Sequence, residues 1–149
     1  MKNEVTTSRL LLLIRNADSF EAGMEYFSQS KEPTFHEELH RLLKEKRKTA
    51  KVLIELSGIE RSYFYHILGG KKKPGRNMII RIAACLRVSL DETNRLLRLG
   101  GYSPLYAKIH RDAIIIFGIS KKMTMFEINE LLLDAQQEPL FMEEQDDWA

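Results

Sequence analysis

"TAKVLIELSGIERSYFYHILGG", residues 49–70, decides how the rest of the chain reads. Thr49 is a residue type that caps helices, and the apolar-periodic run behind it reaches Ser57. Gly58 suits a helix-ending turn of positive φ, because without a Cβ that conformation costs little. A second helix is predicted over about Arg61 to Leu68, stopping at Gly69-Gly70. With an advance of about 100° per residue, Phe64, Ile67 and Leu68 gather on one side of it, and Glu60 lies at its start. Arg61, Ser62, Tyr65 and His66 gather on the opposite side, and Tyr63 falls on the flank. Two short helices joined at a glycine corner thus offer one apolar face and one face rich in hydrogen-bonding groups.

The pattern continues on both sides. Upstream, a helix is predicted over about Phe35 to Lys46, with Phe35, Leu39, Leu42 and Leu43 as its apolar stripe. Downstream, Lys71-Lys72-Lys73-Pro74-Gly75 reads as a loop, and Ile79, Ile82, Ala83 and Leu86 line the next helix. Ser89 with Glu92 three residues on marks another helix start, which runs to Gly100-Gly101. Ser103-Pro104 reads as the start of the C-terminal part, with Pro at the first helical position. "LYAKIHRDAIIIFGI", residues 105–119, reads as a largely buried helix. Thr124 with Glu127, and Met123 with Ile128, mark a last helix whose stripe is Ile128, Leu131, Leu132 and Ala135. The acidic end, "EPLFMEEQDDWA", is expected to fray. The N-terminal arm has two candidates: one starting at Ser8 and holding Leu10 to Ile14, and one capped by Asp18 that puts Phe20, Met24 and Phe27 on one face.

Composition supports this layout. Apolar residues make up 44% and charged residues 30% of 149, which excludes a disordered chain and suits one compact domain with helical extensions. Apolar residues recur at three- and four-residue spacing without alternation, so the class expected is all-α. No internal repeat or low-complexity tract is present. Leu10 to Ile14 is too short to span a membrane or form a signal-peptide core, so the expected location is cytoplasmic. Cys85, the single cysteine, excludes a disulfide framework and a cysteine-rich zinc cluster and reads as a packed residue. The net charge of +2 conceals an asymmetry. Residues 35–100 hold fifteen Lys/Arg against seven Asp/Glu, residues 1–34 four against five, and residues 101–149 four against nine. A basic centre between acidic flanks points to a polyanion partner.

Residues 49–70 resemble the helix-turn-helix of the lambda-repressor-like XRE family of bacterial regulators. The resemblance extends over roughly 35–99, including "GGKKKPGRNMIIRIAACLRVSLDE". Thr49 stands where the family opens its first helix, Gly58 makes the turn, and Ile59 is the apolar residue after it. The resemblance implies a lambda-repressor-like core within a division into 1–34 (N-terminal helical arm), 35–100 (DNA-binding domain) and 101–149 (C-terminal helical extension, with dimerisation in view). It also implies sequence-specific regulation of transcription through double-stranded DNA. The chain departs from the family pattern at Ala50, Ile54 and Leu68-Gly69-Gly70. An alternative function, a protein-interaction module on the same fold without DNA reading, draws on those departures.

The candidate base readers are Arg61, Ser62, Tyr65 and His66, because base edges are discriminated by directional hydrogen bonds in the major groove. Arg61 suits bidentate contact with guanine, Ser62 and His66 suit donors or acceptors, and Tyr65 suits a thymine methyl or a phosphate. The candidate phosphate contacts are Lys46, Arg47, Lys48, Thr49 and Lys51 before or at the start of the first helix, and Lys71, Lys72 and Lys73 after the second. Readers of this kind pair so that two helices reach successive half-sites, so a homodimer is expected. Its contact would come from the Leu10–Ile14 segment or from C-terminal residues such as Ile114, Ile115, Ile116, Phe117, Leu131 and Leu132. A protein partner on the acidic C-terminal part is a further expectation.

One motif competes with this reading. His36-Glu37-Glu38-Leu39-His40 matches H-E-x-x-H, whose two histidines share a helical face and hold zinc. Catalytic zinc needs a third protein ligand. Leu43 stands where the longer metzincin motif has Gly, and Glu60 is the nominal ligand downstream. The histidines border the apolar stripe of Phe35 and Leu39. The expectation is therefore no metal, no cofactor and no catalytic residue.

Overall fold

The computed structural model describes residues 6–142 and is all-α, with no strand among those residues. The chain divides into two compact units, Met1–Pro33 and Thr34–Ala149.

The first unit holds α1 (Thr7–Arg15) and α2 (Phe20–Gln29). Thr6 caps α1, its hydroxyl accepting from the Arg9 N–H. The cap of α2 is Ser19 and not the expected Asp18. Ser19 has the extended backbone a cap needs, and its Oγ accepts from the Ala22 N–H at 3.1 Å. The two helices pack together at Gly23, where an added Cβ would touch Ala17 and Ile14. Gly23 is the one buried residue of either helix.

The second unit carries α3 (Phe35–Glu45), α4 (Ala50–Ser57), α5 (Arg61–Leu68), α6 (Arg76–Leu86), α7 (Leu90–Leu99), α8 (His110–Ser120) and α9 (Met125–Asp134). Thr34, Ser89 and Thr124 open α3, α7 and α9 with reciprocal bonds to Glu37, Glu92 and Glu127 three residues on. Thr49 caps α4 through the Val52 N–H. Gly58 ends α4 at φ 68°, as its position in the sequence requires. Each helix turns its apolar stripe inward, and the buried side chains run from Leu39 to Leu140. Helix α6 is the centre of this core. Seven of its residues, Ile79, Ile80 and Ile82 to Leu86, are buried, and it packs on α4, α7 and α9.

Residues 101–142 share that core. Ile115, Ile119, Met125, Ile128, Leu132 and Leu140 lie within it, and the Cys85 thiol donates to Met125 Sδ at 3.8 Å. The ends of α6 and α8 are clasped: Arg87 donates to the Lys122 carbonyl and Lys122 to the Arg87 carbonyl, each at 2.9 Å.

Buried polar groups are tied to specific partners. Glu38, 1% exposed, receives Arg41 at 2.7 and 2.9 Å and lies 3.0 Å from Arg95 Nε. A carboxylate taken from water needs such cations close by. Arg41 also bridges to Glu45 one turn on. Asp112 is gripped by Arg76 at 3.1 and 3.3 Å and accepts the Tyr106 N–H.

Two expectations about the C-terminal part fail as well. Pro104 does not open a helix, and residues 105–109 are not helical, because α8 begins at His110. The turn survives on side-chain acceptors: Asn94 Oδ1 takes the Leu105 N–H at 2.9 Å and Asp112 Oδ2 the Tyr106 N–H at 3.0 Å. The first part of the acidic end does not fray either. Asn129 Oδ1 accepts from Leu140 at 2.7 Å, its amide donates to the Phe141 carbonyl, and Leu140 is 3% exposed. Residues 143–149, the rest of that expectation, lie outside the described residues. No described helix is long and apolar enough to cross a membrane.

Candidate nucleic-acid interface

The corner between α4 and α5 is built from several anchors. Glu60 caps α5, its two carboxylate oxygens accepting from the Ser62 and Tyr63 N–H groups at 3.1 and 2.8 Å. Ser57, fully buried, accepts the Ile59 N–H through its hydroxyl at 3.2 Å. Beneath the corner, Arg81 Nη2 donates to the Ser57 carbonyl at 2.6 Å, and its guanidinium lies 5.2 Å from the centre of the Phe141 ring. Burial pushes the Arg81 pKa down from its ordinary value, with the neighbouring Cys85 acting against it. The far end of α5 is held by His40, whose Nε2 donates to the Leu68 carbonyl at 2.8 Å. The His66 carbonyl accepts from the Lys71 and Lys72 N–H groups.

These anchors fix which side of α5 faces out. Phe64 and Ile67 are 0% exposed and Leu68 is 7% exposed. Arg61, Ser62, Tyr65 and His66, all four expected base readers, are exposed, and Tyr63 is half-buried on the flank. The Arg61 guanidinium stacks on the Tyr65 ring at 5.6 Å, which pre-orders a long side chain along the helix surface. The face is donor-rich and carries no carboxylate.

The expected phosphate contacts divide. Arg47, Thr49, Lys51, Lys71, Lys72 and Lys73 are exposed, and Lys48 is half-buried. Arg47 sits at φ 54°, in the turn between α3 and α4. The Thr49 hydroxyl is engaged as the α4 cap. Lys46 is committed elsewhere: its Nζ lies 3.4 Å from Glu92 Oε1, and its side chain is 29% exposed. Burial pushes the Glu92 pKa up, but the Ser89 N–H, Lys46 and the Ser89 hydroxyl together outweigh it and hold the carboxyl below its ordinary 4.5.

Of the H-E-x-x-H histidines, His40 bonds α5 and His36 lies beside the turn that follows it. His40 closes the C-terminal end of that helix. His36 lies 3.3 Å from the Thr34 hydroxyl, and its ring occupies the space a Cβ on Gly70 would take. Glu60, the nominal third ligand, is the α5 cap. Among the described residues no group of three or more His, Cys, Asp or Glu is placed to hold a metal ion. Cys85 is buried, and burial raises its thiol to about 11, with Arg81, Arg87 and Lys48 acting against that rise.

Sequence reading missed Arg81, His40 as an anchor, and the pairing of Lys46. The spacing of His36 and His40 was a visible signal that the two rings share a helix face. Nothing local marks Arg81 or the Lys46–Glu92 pair, whose partners lie far along the chain. Comparison of the chain with family models, curated proteins and solved structures found no match.

Proposed function

We infer that this protein is a sequence-specific DNA-binding regulator of transcription, cytoplasmic, homodimeric and without catalytic activity, on a lambda-repressor-like helix-turn-helix core. One observation carries the reading. Arg61, Ser62, Tyr65 and His66 stand exposed on one face of α5 while Phe64, Ile67 and Leu68 are sealed beneath it. An eight-residue helix so anchored is narrow enough for the major groove and offers the groups that base edges demand. Arg61 reads guanine, Ser62 and His66 read neighbouring edges, and Tyr65 braces Arg61 and meets a thymine methyl or a phosphate. Arg47, Lys48 and Lys51 ahead of and within α4, with Lys71 to Lys73 after α5, neutralise phosphates.

Selection of bound duplexes from fragmented genomic DNA, followed by gel-shift titration, tests this. A discrete motif should emerge, and Arg61→Ala should weaken its binding by ~1–3 kcal/mol and relax preference at one base pair. Equal weak binding to every duplex, unchanged by Arg61→Ala in a folded protein, overturns the reading. That outcome favours the second reading, a protein-interaction module. It has its own observation: Tyr106, Ile109, Phe117, Phe126 and Leu133 are exposed on the C-terminal part, each about half or more.

A further inference from the structure

Residues 137–142 follow α9 without forming a helix, yet they are bonded to the core along their length. The Gln137 N–H donates to the Leu132 carbonyl at 2.8 Å. Arg111 of α8 donates to the Glu138 and Pro139 carbonyls at 2.8 and 3.3 Å. Asn129 of α9 accepts the Leu140 N–H at 2.7 Å and donates to the Phe141 carbonyl at 3.1 Å. The segment then reaches a half-buried cation. The Phe141 ring meets Phe126 edge to face at 5.5 Å and lies 5.2 Å from the Arg81 guanidinium.

Arg81 in turn donates to the Ser57 carbonyl at 2.6 Å, one of the α4 C-terminal carbonyls that have no partner within the helix. Among the described residues no carboxylate pairs with Arg81, and its Nε meets no acceptor. A cation drawn from water without a carboxylate depends on the groups it does touch. Here those are one carbonyl and one ring face.

We propose that residues 137–142 form a strap that fixes the α4–α5 corner through Arg81, with Phe141 and Arg81 as positioning residues for the outward face of α5. With Phe141 in place, the guanidinium is held against the Ser57 carbonyl. With the strap lifted, water reaches the guanidinium and competes for that bond. The corner feels the change because Ser57 is bonded on both sides: its carbonyl takes Arg81, and its hydroxyl takes the Ile59 N–H at 3.2 Å. Gly58 and Ile59 then gain freedom, and α5 with them. This coupling is a property of the fold and needs no duplex. Its consequence for DNA affinity rests on the proposed function.

The test uses the full chain without DNA, followed by amide hydrogen exchange. Phe141→Leu keeps an apolar side chain and removes the ring face. It should speed exchange at the Gly58 and Ile59 N–H groups by about tenfold, the scale of a cation–ring contact partly drawn from water. Glu38 and Thr93, whose N–H groups open α3 and α7, should exchange as before. Phe141→Tyr retains the ring and should match the wild type. Arg81→Met should speed the same two amides, and adding Phe141→Leu to it should bring no further increase. An unchanged corner in Phe141→Leu overturns the proposal, and so does equal acceleration at all four amides, since the loss is then global. Additive effects of the two substitutions overturn the route through Arg81. Gel-shift titration reads the consequence: Phe141→Leu should weaken the selected duplex although it alters no proposed contact, and undiminished affinity overturns the link to α5. Arg61→Ala should weaken the duplex with corner exchange unchanged, so failure of the strap and failure of the DNA reading are read separately.

Discussion

At the scale of single residues, the two lysines at 46 and 72 look alike in sequence and differ in structure. Lys72 is exposed after α5, whereas Lys46 is paired with Glu92 and largely covered. If basic residues release counterions from DNA, the logarithm of affinity falls linearly with the logarithm of salt, with a slope of about −0.9 per neutralised phosphate. Lys72→Ala should therefore lessen that slope by about one unit per protomer. Lys46→Ala should leave it unchanged and lower thermal stability instead, and fluorescence anisotropy titrations at several salt concentrations check both. Glu92 adds a pH dependence. Its folded pKa lies below its ordinary 4.5, so its contribution to stability is full above that value and is lost as pH falls through the folded value. The melting temperature should drop on acidification, and Glu92→Gln should narrow the gap between neutral and acid melting temperatures.

At the scale of elements, helix identity was legible wherever a start and a stop were written locally. Thr49, Ser89 and Thr124 cap helices as their spacing implies, and Gly58 takes the left-handed turn. The outward face of α5 was legible too, because a helical wheel needs only the order of residues. Legibility ended where distant groups decide. Pro104 looked like a helix start, but acceptors from Asn94 and Asp112 stabilise a turn in its place. Asp18 and Ser19 are both capping types, and backbone geometry chose Ser19. The fold of residues 136–142 depends on Asn129, which nothing in the local pattern announces. The α8–α9 contact gives an element-scale prediction. A Cβ on Gly118 would intrude on the Ile128 side chain, so neither helix can yield cheaply. Gly118→Ala should cost ~1–3 kcal/mol, measured as a lower urea midpoint with an unchanged slope.

At the scale of the molecule, the second unit has one core, and residues 101–142 belong to it. Removing everything after Gly100 would strip Ile115, Met125, Ile128 and Leu132 from contact with α6 and α7 and leave a large apolar face in water. Such a truncated chain should lose cooperative urea unfolding, followed by far-ultraviolet circular dichroism, although every candidate DNA contact is still present. Reading the basic centre as a free-standing domain would miss this, because the charge pattern divides the chain where the packing does not. The covered position of Cys85 has a practical corollary. The chain's only sulfhydryl sits between α6 and α9, 9% exposed, and burial raises its pKa to about 11, so it offers little thiolate to an electrophilic dye. A fluorophore carried on Ser62→Cys would consequently mark one known spot on the outward face of α5 and, on the proposed function, report the arrival of a duplex there with little background from a second label.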